Sequence, residues 1–334
     1  MKNIGIMTGG GDCPGLNAAI RAVVRSAYNK NIEVVGFKLG WLGILEKKFE
    51  KLNLDAVSGI LPRGGTLLGS SRINPLEKKE WPSRIQRNLK HLNIHALIII
   101  GGDGTLRAAL ELSRQIPLPF VAIPKTIDND LMGTDFTFGF DTAVSIATEA
   151  IDRLHTTAES HQRVMIIEVM GRNTGWIATY AGLAGGADFI LIPEVSVSLS
   201  DIIASIQKRH DRGKTFSLVV VAEGAKPTFS KQKDFYRHNS IGEILAHEIT
   251  EATGFETRVT ILGHVQRGGS PTPADRILAT RLGTYAADLA FEGRLGQMAA
   301  LQGQQMVAVP LKKAVEKIKP CDLTLYKIAQ RFFG

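Results

Sequence analysis

The chain has 334 residues, above the length at which one hydrophobic core usually stops growing, so two domains are expected. Apolar residues make up 44% and charged residues 22%, which excludes a disordered chain, and the 34 glycines follow no collagen-like period. With 40 basic against 32 acidic residues the formal net charge is +8, a balance suited to an anionic partner.

The distribution of that charge narrows the choice. The pairs Lys47-Lys48, Lys78-Lys79 and Lys312-Lys313 extend into no basic tract, and aromatic residues are only 7%. A polyanion asks for a continuous basic stripe with stacking aromatics, so small phosphorylated ligands are expected rather than nucleic acid. Two cysteines, Cys13 and Cys321, make no disulfide framework and suit a reducing compartment. No apolar run approaches the roughly 20 residues of a membrane span, and the opening MKNIGIMTGGGD lacks the apolar stretch of a secretory leader. A cytoplasmic protein with no membrane partner is expected.

Short apolar runs bounded by Gly, Pro or Asp recur along the chain. In order they are Ile4–Met7, Val34–Phe37, Ala96–Ile100, Phe120–Ile123, Val164–Ile167, Phe189–Ile192, Leu218–Val221 and Val259–Leu262. Their continuous apolar character predicts strands buried on both faces, as in parallel sheets covered by helices. Helix-length stretches lie between them, among them Asn17–Asn29, with Arg21 and Arg25 on its polar side, and Leu106–Ser113. Alternating strand and helix predicts a doubly wound α/β protein, in which ligands bind beyond the carboxyl ends of strands. A break near Gly133–Gly139 is the candidate domain boundary, and the polar segment Gly224–Ser240 reads as a surface excursion.

Four clusters could do chemistry. Gly9-Gly10-Gly11-Asp12-Cys13-Pro14-Gly15 follows the first strand, and reads either as an anion cradle or as a tight strand-to-helix turn. It has neither the Gly-Lys-Ser/Thr end of a Walker loop nor the dinucleotide spacing. Gly101-Gly102-Asp103-Gly104-Thr105 follows the most apolar strand, where Asp103 could hold Mg²⁺ against phosphate oxygens or simply cap a helix. Lys125-Thr126-Ile127-Asp128-Asn129-Asp130 offers two carboxylates, enough for a base and a metal partner, or an Asx-rich turn. The fourth set is dispersed: Arg72, Arg163, Arg172, Arg258, His264 and Arg267, several beside glycines at strand ends. Guanidinium forks match phosphate oxygens. Together these read as a phosphoryl-transfer site with a donor cradle and a separate cationic pocket for a phosphorylated acceptor.

In this order and from Lys2 to about Leu301, the chain resembles the 6-phosphofructokinase family, of the phosphofructokinase A type. The matching stretches are GGGDCPGLNAAIR, RGGTLLGSSR, GGDGT, PKTIDND, SHQRVMIIEVMGRNTGW, AEG, ETRVTILGHVQRGGSP and DRILATRLG. The resemblance implies two Rossmann-like domains with the active site in the cleft between them. The larger, donor-binding domain would take residues 1–138 plus about 266–304, and the smaller, sugar-phosphate domain 139–265 plus about 305–334. The implied activity is phosphorylation of D-fructose 6-phosphate at the 1-hydroxyl with Mg-ATP, committing the sugar to glycolysis. A pyrophosphate-dependent enzyme, a relative acting on another sugar phosphate such as sedoheptulose 7-phosphate, and a non-catalytic nucleotide or nucleic-acid binder are the alternatives. Intact Asp103 and Asp128 count against the last.

By resemblance, Asp128 is the base, and Asp103 positions Mg²⁺ with Asp130 nearby. Gly11, Arg72, Ile73, Gly102, Asp103, Gly104 and Thr105 would cradle ATP, with Arg72 and Arg172 offsetting charge on the transferred phosphoryl group. Thr126, Ile127, Met170, Gly171, Arg172 and Glu223 would hold the sugar. Its 6-phosphate would fall to Arg163, Arg258, His264 and Arg267, with Val265 and Gln266 between the last two. Arg163 and Arg258 would come from a neighbouring subunit, which implies a homo-oligomer, a dimer or a tetramer. Members resembling the chain also carry an intersubunit effector pocket; Arg21 and Arg25 match two of its arginines, while Leu54 and His155 replace two others.

Donor choice rests on two positions. Pyrophosphate users resemble GGDDT with PKTIDND, and ATP users GGDGT or GGDGS with PGTIDND; the chain pairs Gly104 with Lys125. An Asp at 104 would set a carboxylate where the α-phosphate of ATP must lie, whereas Gly leaves that volume empty. Lys125 adds a cation that would help pyrophosphate without excluding ATP, and Gly139–Ala143 (GFDTA) leans toward this mixed group. ATP is the expected donor.

Overall fold

The computed structural model describes residues 3–228 and 239–334. Residues 229–238, most of the Gly224–Ser240 excursion, lie outside the described residues, as does Lys2. The strands are β1 (Asn3–Thr8), β2 (Val34–Phe37), β3 (Phe49–Leu52), β4 (Ile94–Gly101), β5 (Phe120–Pro124), β6 (Val164–Val169), β7 (Phe189–Leu191), β8 (Ser217–Ala222), β9 (Thr257–Ile261), β10 (Gln297–Gln302) and β11 (Gln305–Pro310). The helices are α1 (Leu16–Tyr28), α2 (Trp41–Glu46), α3 (Trp81–His91), α4 (Asp103–Gln115), α5 (Phe140–His161), α6 (Trp176–Ala184), α7 (Leu199–Asp211), α8 (Ile241–Thr253), α9 (Pro273–Phe291), α10 (Leu311–Ala314) and α11 (Leu323–Gln330). All eight apolar runs form strands.

The chain divides into two compact units, Met1–Asp141 with Arg267–Ile318, and Thr142–Gln266 with Lys319–Gly334. The first unit keeps the chain as far as Ile318, beyond the 304 expected, because β11 pairs antiparallel with β10 from Gln297↔Pro310 to Gln302↔Gln305.

In the first unit a seven-stranded sheet runs β11-β10-β5-β4-β1-β2-β3. Its inner pairs are parallel and both edge pairs, β2–β3 and β10–β11, are antiparallel. Met7, Leu97, Ile99 and Ala122 from the central strands, with Leu106, Ala109 and Leu112 of α4, are buried in one cluster. On α1, Leu16, Ile20, Val23 and Ala27 recur at helical spacing and are buried while Arg25 is exposed. Helix α1 lies so close to α9 that a Cβ at Gly283 would sit 2.7 Å from the Ala19 carbonyl oxygen.

The second unit holds a four-stranded, wholly parallel sheet in the order β7-β8-β6-β9. Every residue of β6 and β8 is buried. Ser198 with Asp201 and Ser240 with Glu243 form capping boxes that start α7 and α8, each cap worth about 1 kcal/mol. Among the described residues no helix is long and apolar enough to cross a membrane.

Candidate active site

In the first unit the chain leaves β1 toward β2 on one side and returns as β4 on the other. Strand order therefore reverses between β1 and β4, the place where open α/β sheets bind ligands. Both glycine loops follow these two strands. Gly9 N donates to Ile100 O at 2.9 Å, tying the two strand ends together. Between them sits Thr105: a Cβ at Gly9 would lie 2.6 Å from its Cγ2, and one at Gly101 2.6 Å from its Cβ. The glycines are thus required by the close approach of Thr105. Gly10 N donates to Ser71 O at 3.1 Å and the Ser70 hydroxyl donates to Gly10 O, which brings the loop carrying Arg72 and Ile73 alongside. Arg72 is exposed, and Ile73 packs against the core.

Lys125 and Arg267 grip the carbonyl side of the first glycine loop. The Lys125 ammonium is buried and donates to Gly11 O, while Arg267 Nη1 donates to Asp12 O at 3.1 Å. Burial pushes the Lys125 ammonium below its ordinary pKa, against the attraction of the Asp128 and Asp12 carboxylates. Burial likewise pushes the Cys13 thiol upward, out of reach of reactive thiolate chemistry. Arg267 was assigned to the sugar 6-phosphate; its guanidinium lies against Gly11, near enough that a Cβ there would be 2.8 Å from Nη1.

Asp128 and Asp130 are both buried, at 4% and 7% exposure. Between them Asn129 takes φ 49°, and its Oδ1 accepts from Thr137 N at 3.0 Å. Asp128 N donates to Thr126 Oγ1 at 3.0 Å, and Thr137 Oγ1 to Thr126 O at 2.7 Å. Asn129 and Thr126 thereby fix the turn that presents the two carboxylates. Ile127 is fully buried, so only its backbone can face a ligand.

Asp103 does not serve as the cap of α4. Gly102 occupies the cap position, and both Asp103 oxygens accept from Arg107 Nε, at 2.8 and 2.9 Å. Gly104 is exposed, and a Cβ built on it meets nothing within 4 Å.

In the second unit, Met170, Gly171 and Arg172 follow β6, and Glu223 follows the adjacent β8. Arg172 N donates to Glu223 Oε1 at 2.8 Å. Arg172 has φ 52°, a left-handed conformation costly for a side-chain-bearing residue. Beneath it a Cβ at Gly224 would sit 1.8 Å from Arg172 O, so only glycine fits there. Gln266 is fully buried; it accepts from Met170 N at 3.4 Å and donates to Gly263 O at 3.1 Å, so it shapes the turn instead of offering its side chain to a ligand. His264 and Val265 are exposed on the same short helical turn, Gly263–Arg267.

Arg163 and Arg258 do not join these groups. They stand at the amino ends of β6 and β9, where both pair with Glu256 Oε1, at 2.8 and 2.5 Å. The Arg163 hydrogen bond holds the Glu256 carboxyl below its ordinary range. The resemblance gives both to a neighbouring subunit's site, and they stand at strand ends opposite those that carry Met170 to Arg172 and Glu223. The six residues of β6 separate them from Arg172, roughly 20 Å at a strand's rise per residue.

Sequence reasoning passed over Arg107, although Asp103 and Arg107 are a visible i, i+4 pair. It also passed over Asp275, whose Oδ1 accepts from Gly139 N at 2.9 Å across 136 positions of sequence, a separation that leaves no local signal.

Glycine loops at the switch point of a doubly wound sheet, with acidic and basic groups beside them, stand where α/β proteins bind phosphorylated ligands. The phosphofructokinase family model matches residues 3–290. The pyrophosphate–fructose 6-phosphate 1-phosphotransferase of Streptomyces coelicolor is 51% identical over 341 residues, covering 99% of each chain. The ATP-dependent 6-phosphofructokinase 3 of the same organism is 51% identical, covering 98% of each. The crystal structure of Pichia pastoris phosphofructokinase superposes with a TM-score of 0.86 at 31% identity; it covers 99% of this chain, which spans only 36% of that longer one. The chain belongs to the phosphofructokinase family, and it is an enzyme of that family.

Proposed function

We propose that the protein transfers the terminal phosphoryl group of ATP to the 1-hydroxyl of fructose 6-phosphate, in the cytoplasm, giving fructose 1,6-bisphosphate and ADP. Relatives of equal identity are named for ATP and for pyrophosphate, so overall likeness does not choose the donor. The observation that carries the reading is Gly104, exposed in the first turn of α4 with open space where a side chain would go. An Asp there would fill the volume of the α-phosphate and repel it.

In this reading Asp128 takes the 1-hydroxyl proton as that oxygen bonds to the γ-phosphorus and the bond to ADP breaks. Gly11, Arg72, Ile73 and Gly102 to Thr105 hold the donor. Arg72 and Arg172 offset the charge that grows on the transferred group. Thr126, Met170, Gly171, Arg172 and Glu223 hold the sugar, with Ile127 contributing backbone alone. His264 and Arg267 take the 6-phosphate together with Arg163 and Arg258 of a second copy of the chain. The opposite strand ends occupied by Arg163 and Arg172 support that division, since one hexose phosphate does not span a strand's length.

Asp103, with Asp130, would hold Mg²⁺. Among the described residues no three His, Cys, Asp or Glu side chains gather as a metal cage, which suits an ion held by one or two carboxylates and the donor's own phosphates. Bound there it would neutralise charge on those phosphates.

Pyrophosphate is the second reading, favoured by the Lys125 cation beneath the glycine loop; that cation is engaged by Gly11 O. Parallel assays with fructose 6-phosphate and Mg²⁺ decide between them. ATP should support at least tenfold faster turnover, and a faster rate with pyrophosphate would overturn the donor reading.

A further inference from the structure

The turn that carries Arg172 is held by three side-chain acceptors from three other parts of the second unit. Gln266 takes Met170 N, Glu223 takes Arg172 N, and Glu194 takes Gly175 N with both carboxylate oxygens at 3.0 Å. The first two residues were singled out from the sequence. Glu194 was not, and it has a second role. Its Oε1 also accepts from Cys321 N at 2.8 Å, in the carboxy-terminal segment that returns to this unit.

That segment is firmly seated. Trp176 Nε1 donates to Lys319 O at 3.2 Å, and the Lys319 ammonium stands 4.8 Å from the centre of the Trp176 ring. Tyr326 is buried and donates to Ile190 O at 2.9 Å, and Phe333 stacks on Phe189 with ring centres 4.9 Å apart. At Gly175 there is no slack: a Cβ would lie 2.3 Å from Ile192 Cβ and 2.9 Å from Glu194 Oε2. One carboxylate therefore joins the far end of the Arg172 turn to an anchored segment through charge-assisted hydrogen bonds.

Arg172 needs such anchoring. A residue with a side chain stays in the left-handed region only where its surroundings over-determine it. Thr174 N closes the turn onto Gly171 O at 3.0 Å, but that bond is internal and would move with the turn. Gln266, Glu223 and Glu194 each tie the turn to another part of the unit.

We propose that Glu194 is a positioning residue for the sugar phosphate: by fixing Gly175 N against Cys321 N, it keeps the turn, and so the Arg172 guanidinium, in the geometry that receives the substrate. This rests on the reading that the Arg172 turn binds the sugar. Loss of Glu194 frees Gly175 N from Cys321 N and loosens the far end of the turn. The donor loops follow other strands, in the first unit.

The test uses the full chain with Glu194→Gln, Glu194→Asp and Arg172→Ala, each with steady-state kinetics and a melting curve. Gln loses the charge and, with its carbonyl oxygen in the place of Oε1, sets an amide donor against Gly175 N where Oε2 accepts, while Asp keeps an ionised acceptor at shorter reach. Glu194→Gln should raise KM for fructose 6-phosphate about tenfold, the worth of one charge-assisted bond, and leave the donor KM within twofold. Glu194→Asp should recover part of that loss. If both KM values rise together with a lower melting temperature, Glu194 supports the fold alone and the proposal fails. It also fails if the sugar KM stays within twofold in both Glu194 variants while Arg172→Ala raises it. An unchanged sugar KM in Arg172→Ala would instead overturn the reading of the turn itself.

Discussion

Both carboxylate oxygens of Asp103 accept from one nitrogen, Nε of Arg107, a helical turn further along α4. The pair is partly exposed, at 21% for Asp103 and 42% for Arg107, and such i, i+4 pairs contribute about 0.3–0.5 kcal/mol. Arg107 occupies the carboxylate that the proposed reaction gives to Mg²⁺, so the two cations compete. Arg107→Gln should therefore lower the half-saturating Mg²⁺ concentration about twofold at fixed ATP, with the melting temperature changed by only about 1–2 °C. A Mg²⁺ requirement that rises would mean that Arg107 serves the donor and not Asp103.

Asp128 sits at 4% exposure in a turn fixed by Thr126 and Asn129. Those anchors are backbone and neighbouring side chains, so Asp128→Ser should keep the fold and still bind fructose 6-phosphate. Its kcat should fall by about 10²–10⁴, the usual contribution of a general base. Turnover near that of the parent would remove Asp128 from the proton transfer.

Gly104 offers room for a larger residue at no steric cost, since nothing lies within 4 Å of a Cβ there. Gly104→Asp should melt within a few degrees of the parent and lose ATP-dependent activity, while pyrophosphate use appears or grows with Lys125 already present. An unchanged KM for ATP would show that position 104 does not face the α-phosphate, and the donor reading would go with it.

The parallel cores were legible because burial on both faces writes itself as an unbroken apolar run, as in Ala96–Ile100. The antiparallel edges were not. β3 reads Phe-Glu-Lys-Leu with only Leu52 buried, and β11 reads Gln-Met-Val-Ala-Val-Pro with only Val309 buried. β3 carries no continuous run, whereas Met306–Val309 of β11 is an apolar run that the sequence reading passed over. In the site, the loops after β1, β4 and β5 announced themselves by glycine and Asp at strand ends. Contacts that depend on which strands become neighbours did not. Arg163 and Arg258 meet at Glu256 because β6 pairs with β9, and Met170 meets Gln266 across 96 positions. Sheet order, not local pattern, brings these residues together.

Lys125 gives a prediction in the alkaline range. Its buried ammonium donates to Gly11 O, and burial lowers its pKa from the ordinary 10.5. Below the lowered folded pKa both the folded and the unfolded chain carry the proton, so the cost of burying the charge is present in full. Between the lowered folded pKa and 10.5 the unfolded chain binds more protons, so the stability contributed by this group rises with pH. Lys125→Met removes that rise and leaves the Gly11 carbonyl without its donor, at a cost of about 1–3 kcal/mol offset by relief of the buried charge. Burial pushes the Cys13 thiol upward in both proteins, and Lys125→Met lacks the cation that opposes that shift, so the stability this thiol loses with rising pH is no smaller in the variant. Melting curves should therefore show the parent gaining on Lys125→Met as pH climbs from 7 toward about 10. A difference that stays flat across that range, or shrinks, would mean that the Lys125 ammonium keeps its ordinary pKa in the folded protein, solvated by groups other than the Gly11 carbonyl.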